Sequence, residues 1–250
     1  MNEDDKKKFD RQTFLNEKHA KFQTPQQIID DAVLSFSGNK IEIQNKIIKG
    51  EVNEVYAIKT NGGDELIIRI GRGDGAETSF RREKLVLEKC LKVGVPVPKI
   101  LSIESFEVER EKLCICIENK LPGVPMNEYK DWKDPANKAE LSELVRKAGG
   151  ILSRIHSISV KGFGHLNSDG VGEYKSVIER VETDDEISED KMIEVAKRHN
   201  FDKQIVIRAL QILKTQWPEH PVAEPRLMHR DYGIKHIMID KGEITGILDF

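Results

Sequence analysis

Apolar residues recur along this chain at two different periods, and the period changes twice. Ile28, Ile29, Ala32, Val33 and Phe36 are spaced three and four apart, one face of a helix. Thr24-Pro25-Gln26-Gln27 reads as its start, with Thr as cap, and Gly38 as its stop. Residues 46–59 are rich in β-branched side chains and broken at Gly50. Asn61-Gly62-Gly63-Asp64 is a turn, and 65–70 is a further strand. A helix over about 78–93 carries Phe80, Leu87 and Leu91 on one face and stops at Gly94. Val95-Pro96-Val97-Pro98 must be extended, because proline biases its predecessor away from helix. Residues 100–107 and 113–117 then predict a strand pair, so 46–117 is mostly antiparallel sheet with one helix.

After Pro122-Gly123 the helical period returns. Asp134-Pro135 caps a long helix marked by Leu141, Leu144, Val145, Ala148, Leu152 and Ile155. Another is predicted over about 202–217, ended by Pro218. Two short strands close the chain, 237–240 and 243–248, joined at Lys241-Gly242.

Composition narrows the function classes. Forty basic against 43 acidic side chains give a formal net charge of -3, so no basic excess favours nucleic acid or an anionic membrane. No apolar run approaches the ~18 residues of a membrane span. The opening MNEDDKKKFDRQ has no apolar stretch and is no secretory signal. Three cysteines, Cys90, Cys114 and Cys116, fit a reducing, cytoplasmic setting. Alternation places Cys114 and Cys116 on one strand face as small buried hydrophobes. Residues 1–23, with five acids and six bases, read as a mobile or weakly helical extension. Residues 182–190 hold six acids and no base, a solvated face or a lip that attracts cations.

The chemistry concentrates in His229-Arg230-Asp231-Tyr232-Gly233-Ile234-Lys235-His236 and the hairpin after it. Asp231 lies in a loop before the first strand of the hairpin, and His236 at that strand's start. A tight turn at Lys241-Gly242 brings the second strand back, so Asp249 returns beside both. Two carboxylates and an imidazole are thus gathered, the groups that orient a hydroxyl and hold a metal in phosphoryl transfer.

HRDYGIKH matches the kinase catalytic-loop pattern, with His236 at the asparagine position, and Asp249-Phe250 matches the start of D-F-G. With GVPVPKI before it and ITGILDF after it, the chain resembles the aminoglycoside phosphotransferase family over about residues 24–250. The resemblance implies an α+β, protein-kinase-like fold with two lobes. Residues 24–118 form a sheet-rich nucleotide-binding lobe, and 119–250 a helical lobe with the catalytic loop. It implies that Asp231 is the catalytic base or hydroxyl-orienting residue, and that His236 and Asp249 are the metal-side residues. Arg69 falls where the family places the basic residue on the nucleotide phosphates, and Glu83, ahead of Glu88, where the carboxylate that orients it lies. Lys49, Gly50 and Asn53 belong to the loop over the phosphates, and Ile117 and Asn119 to the hinge that meets the base. The implied cofactors are ATP or GTP with Mg2+. The implied partner is a small hydroxylated acceptor, cationic if aminoglycoside-like, as in antibiotic resistance.

His236 departs from the kinase pattern. Magnesium prefers oxygen ligands, and imidazole nitrogen is a poor one. Aminoglycoside 2''- and macrolide 2'-phosphotransferases are similar here, with histidine at this position. Two other readings stay open at this level. A protein kinase is disfavoured because 46–59 lacks G-x-G-x-x-G and no A-P-E segment follows. A non-catalytic nucleotide-binding or interaction protein of kinase-like fold is the alternative from another class. Family members continue past the D-F pair with further acids and helices, so the chain reads as cut short inside the motif.

Overall fold

The computed structural model describes residues 10–108, 111–183, 188–216 and 224–250. Two helices lead, α1 (Arg11–His19) and α2 (Gln26–Ser37). Strands β1 (Ile41–Ile47), β2 (Glu54–Thr60) and β3 (Glu65–Arg72) follow, then α3 (Ala76–Lys92), β4 (Ile100–Val108) and β5 (Glu111–Asn119). They form a five-stranded sheet in the order β1-β2-β3-β5-β4, antiparallel throughout.

Alternation sorts the side chains of this sheet onto two faces. Tyr56, Ile58, Ile68, Ile70, Ile115 and Ile117 point to one, where Ile29, Ala32 and Val33 of α2 cover them. Cys114 and Cys116 point to the other and pack with Phe80, Leu87 and Cys90 of α3. Burial of each large aliphatic side chain stabilises by about 2 kcal/mol. All three cysteines are free and buried; for Cys114 and Cys116 this is what the alternation predicts.

The second core continues into the remainder of the chain. A short strand β6 (Val124–Pro125) and a one-turn helix α4 (Met126–Tyr129) lead from the sheet. The long helix α5 (Lys138–His156) follows a 3-10 turn whose Asp134 accepts from the Ala136 N–H. Strands β7 (Phe163–Leu166) and β8 (Gly172–Tyr174) pair, and α6 (Val177–Thr183), α7 (Glu189–Arg198) and α8 (Lys203–Gln216) follow. The hairpin β9 (Ile237–Asp240) and β10 (Glu243–Ile247) then joins β6 in a three-stranded sheet. Leu144, Ile151 and Ile155 of α5 share one core with Ile237, Ile239 and Ile247 of this hairpin. Among the described residues no helix is long and apolar enough to cross a membrane.

Two local expectations are decided by the fold. Thr24 does not cap α2; Pro25 stands at the cap position with no side-chain bond. The Thr24 hydroxyl is used instead by the buried Glu54, at 2.6 Å, because that carboxylate must be hydrogen-bonded once it leaves water. Of the two forms expected for the leading extension, residues 11–19 take the helical one, with Leu15 and His19 buried. Trp217 and Pro218, the expected end of α8, lie outside the described residues, as do three of the six acids in 182–190.

Candidate active site

The catalytic-loop motif folds into a series of tight turns. The Asp231 N–H donates to the His229 carbonyl, the Gly233 N–H to the Asp231 carbonyl, and the His236 N–H to the Gly233 carbonyl, each at 2.9 Å. Two non-glycine residues, Arg230 (φ 66°) and Asp249 (φ 68°), hold left-handed backbone. That conformation is costly for such side chains and concentrates where function demands it. The Tyr232 hydroxyl donates to the Ala148 carbonyl of α5 at 2.8 Å, which ties the loop to the helix beneath it.

The hairpin delivers Asp249 as its geometry requires. Lys241 (φ 49°) and Gly242 (φ 80°) make the two-residue turn, both in the left-handed region that suits strand twist. At the far end the Leu248 N–H donates to the His236 carbonyl at 2.8 Å. His229 is the brace: its buried ring reaches the Leu248 carbonyl through Nε2 at 2.9 Å and packs against Phe250 at 4.5 Å. A carbonyl only accepts, so Nε2 carries the proton. Burial pushes this imidazole below the usual histidine range, so it stays neutral.

One ligand atom from each of Asp231, His236 and Asp249 lies within 4.8 Å of the others. His236 Nδ1 is 2.9 Å from the Asp231 backbone carbonyl, which makes Nδ1 a donor. Nε2, on the opposite side of the ring, stands 3.2 Å from Asp249 Oδ2. With Nδ1 donating, Nε2 is the ring atom left to meet a cation beside Asp249. The donor set therefore fits a divalent cation, with carboxylate oxygens as the hard ligands and one imidazole as the softer one. Asp231 is exposed, and the Lys235 ammonium at 2.9 Å holds its carboxyl below the usual carboxylate range.

The sheet supplies a second cluster. Arg69 of β3 extends from the α3 face of the sheet, with its guanidinium 5.1 Å from the Phe80 ring centre. Its Nη2 is 2.7 Å from Glu83 Oε2, so the expected partner is Glu83 and not Glu88. Glu118 of β5, a residue the sequence reading passed over, lies 3.5 Å from the same Nη2. One guanidinium thus faces two carboxylates, and the short bond goes to Glu83. Glu118 is 6% exposed, and its Oε2 accepts no hydrogen bond. Burial raises its carboxyl to about 7, because the attraction of a shared Arg69 does not offset the lost hydration. The sequence carried a signal for this: Glu118 continues the inward alternation of Cys114 and Cys116. Lys235 had none beyond its position in the loop.

The expected nucleotide loop and hinge are placed unevenly. Lys49 pairs with Glu128 of α4 at 2.7 Å, a contact from the loop to the helix beyond the hinge. The Gly50 carbonyl meets the His19 ring. Asn53 is half-buried, its Oδ1 lying over Gly71 of β3. Ile117 is buried in the core beneath α2, and its backbone lies between Ile68 of β3 and Ser102 of β4. Asn119 corrects the expectation: its side chain accepts from the Lys99 N–H at 2.6 Å, and its own N–H donates to the Lys99 carbonyl at 3.2 Å. Its side-chain oxygen and backbone N–H are spent on holding the start of β4, because a strand end must satisfy its backbone somewhere.

Similarity to known proteins agrees with this geometry. The profile of the Phosphotransferase enzyme family matches residues 44–250. Hygromycin-B 4-O-kinase of Escherichia coli is 22% identical over 214 residues, 82% of this chain and 56% of that protein. The chain thus spans little more than half the length of that relative. Ribonuclease 3 of Pseudomonas fluorescens (strain Pf0-1) is 25% identical over 159 residues, 64% of this chain and 66% of that one. The folded loop and hairpin decide between these two likenesses in favour of the first. Among solved structures, a thermostable mutant of an aminoglycoside phosphotransferase, in ternary complex with ADP and hygromycin B, superposes with a TM-score of 0.65. That match has 19% identity and covers 88% of this chain and 70% of the other. Amicoumacin kinase in complex with AMP-PNP, Ca2+ and its antibiotic gives a TM-score of 0.60 at 16% identity, covering 94% and 65%. The fold is therefore kinase-like, α+β, and the chain belongs to the Phosphotransferase enzyme family.

Proposed function

We propose that this chain carries the nucleotide side and the catalytic loop of a small-molecule kinase, moving the γ-phosphoryl group of ATP to a hydroxyl of a small polar acceptor. The observation that carries the reading is the convergence of Asp231, His236 and Asp249 within 4.8 Å. The Arg69–Glu83 pair at 2.7 Å supports it from the sheet. The ADP and AMP-PNP held by the similar structures favour ATP over GTP as donor.

Each residue has a task that its surroundings permit. The Asp231 carboxylate is ionised and exposed, so it accepts a hydrogen bond from the acceptor hydroxyl and aims its oxygen at phosphorus. Orientation comes first: as the hydroxyl oxygen bonds to the γ-phosphorus, the bond from that phosphorus to the bridging oxygen breaks, ADP leaves, and the hydroxyl proton passes to Asp231. Arg69 offers a planar, permanently charged fork suited to phosphate oxygens. Glu83 holds that fork in place. Asp249 and His236, with Asp231 nearby, would hold Mg2+ or Mn2+. When bound, such an ion neutralises charge on the nucleotide phosphates.

Hygromycin B and amicoumacin, the acceptors of the similar kinases, support an antibiotic-like acceptor with several hydroxyls. The test is a thermal-shift series with Mg·ADP and Mn·ADP, followed by a panel of hydroxylated acceptors with Mg·ATP read by mass. Stabilisation by nucleotide and a gain of one phosphoryl group on one acceptor are expected. Stabilisation without transfer to any acceptor favours a non-catalytic nucleotide-binding protein, and no stabilisation by either nucleotide overturns both.

A further inference from the structure

We propose that α1 and the turn after it clamp the 48–53 loop, and that His19 is a positioning residue for the nucleotide. The inference rests on reading that loop as the cover of the nucleotide phosphates. His19 is 2% exposed, and its Nε2 lies 2.7 Å from the Gly50 carbonyl, 31 residues away in the chain. The carbonyl only accepts, so His19 presents Nε2–H to it. Nδ1 is buried with no hydrogen-bond partner, which leaves this bond as the ring's one hydrogen bond among the described residues.

The clamp is itself held from below. Lys46 Nζ donates to the carbonyls of His19 and Phe22, each at 3.4 Å, and to Glu54 at 2.9 Å. Phe22 packs edge-on against the His19 ring, 5.0 Å between centres, and lies under the Arg72 guanidinium at 5.5 Å. Strands β1 and β3 thus fix the turn that carries His19. At the loop, three consecutive residues are each held from outside, one by α4 and two by α1. Lys49 pairs with Glu128 of α4, Gly50 with His19, and Glu51 with Arg11 of α1 at 3.7 Å.

A phosphate-covering loop rich in glycine folds its own amides toward the ligand. The 48–53 loop has one glycine, so its conformation must be imposed from outside. The clamp supplies that constraint before nucleotide arrives, so less freedom is lost on binding.

The test compares the full chain with His19→Phe, His19→Asn and His19→Gln. Phenylalanine keeps the ring and loses the donor. Asparagine keeps an amide but is too short to reach Gly50. Glutamine places its amide where Nε2 stands. Tryptic cleavage after Lys49, identified by mass, reports the loop without nucleotide. Titration with Mg·ADP reports the site. The Phe and Asn variants should be cut at Lys49 several times faster and bind Mg·ADP about fivefold more weakly, one hydrogen bond's contribution. The Gln variant should match the wild type in both. Should the Phe chain fail to fold cooperatively, the Asn chain carries the comparison. Unchanged cleavage after Lys49 in the folded Phe or Asn chain, or a Gln chain as loose as the Asn chain, overturns the clamp. Absence of Mg·ADP binding by the wild type overturns the proposed function instead, and cleavage alone then decides the clamp.

Discussion

His236 Nε2 stands 3.2 Å from Asp249 Oδ2, while Nδ1 of the same ring is committed to the Asp231 backbone carbonyl. The ring is therefore oriented by the backbone of the catalytic-loop Asp231 and aimed at the metal-side Asp249. Replacing it with asparagine substitutes an oxygen donor for a nitrogen one. His236→Asn should keep turnover within about tenfold and shift the rate ratio toward Mg2+ over Mn2+, as hard-ligand preference requires. Parallel initial rates with the two ions measure it. An unchanged ratio would place His236 outside the ligand set.

Glu118 is the buried acid left over beside Arg69, and its stability effect has a definite sign. Its folded pKa, raised to about 7, lies above the usual 4.5, so the folded state holds the proton more tightly. That contribution is complete below about pH 4.5 and is lost as pH rises through about 7. Glu118→Gln mimics the protonated form. The variant should match the wild type in acid and exceed it in melting temperature above about pH 7. Thermal unfolding of both chains from pH 4.5 to 8 tests this, and a variant less stable at pH 8 would contradict it.

Glu54 is the hub of the outer sheet edge, 1% exposed and bonded to Thr24, Lys46, Tyr56 and Arg72. Removing its carboxylate takes the shared acceptor from two cations and two hydroxyls, of which Lys46 keeps two carbonyls and Arg72 keeps Glu111 and Thr24. Glu54→Ala should cost about 3 kcal/mol, the usual loss when one partner of a buried pair is removed. Denaturant unfolding should show an earlier midpoint with an unchanged slope. A loss under about 0.5 kcal/mol would mean that the network is ornamental to stability.

What the sequence made legible was local or periodic. The Lys241-Gly242 turn and the motif around Asp231 lie within one hairpin, so their spacing decides their meeting. Arg69 and Glu83 lie on a strand and the helix after it, within reach of the family resemblance. Thr24 was misread because its neighbours form a good capping signal, whereas a carboxylate 30 residues away claims its hydroxyl. Glu118 becomes a buried acid only once β3 pairs with β5 in register. The docking of α1 depends on one histidine and a distant carbonyl, a contact that no period announces.

The most direct measurement is phosphoryl transfer from Mg·ATP to the responsive acceptor by the wild type and by Asp231→Ala. Asp231 is exposed and makes its one side-chain ion pair of short length with Lys235, so the fold should survive the change. The account predicts a fall of about a hundredfold or more in kcat, the typical contribution of a positioned acid–base group. Full transfer by Asp231→Ala would contradict it.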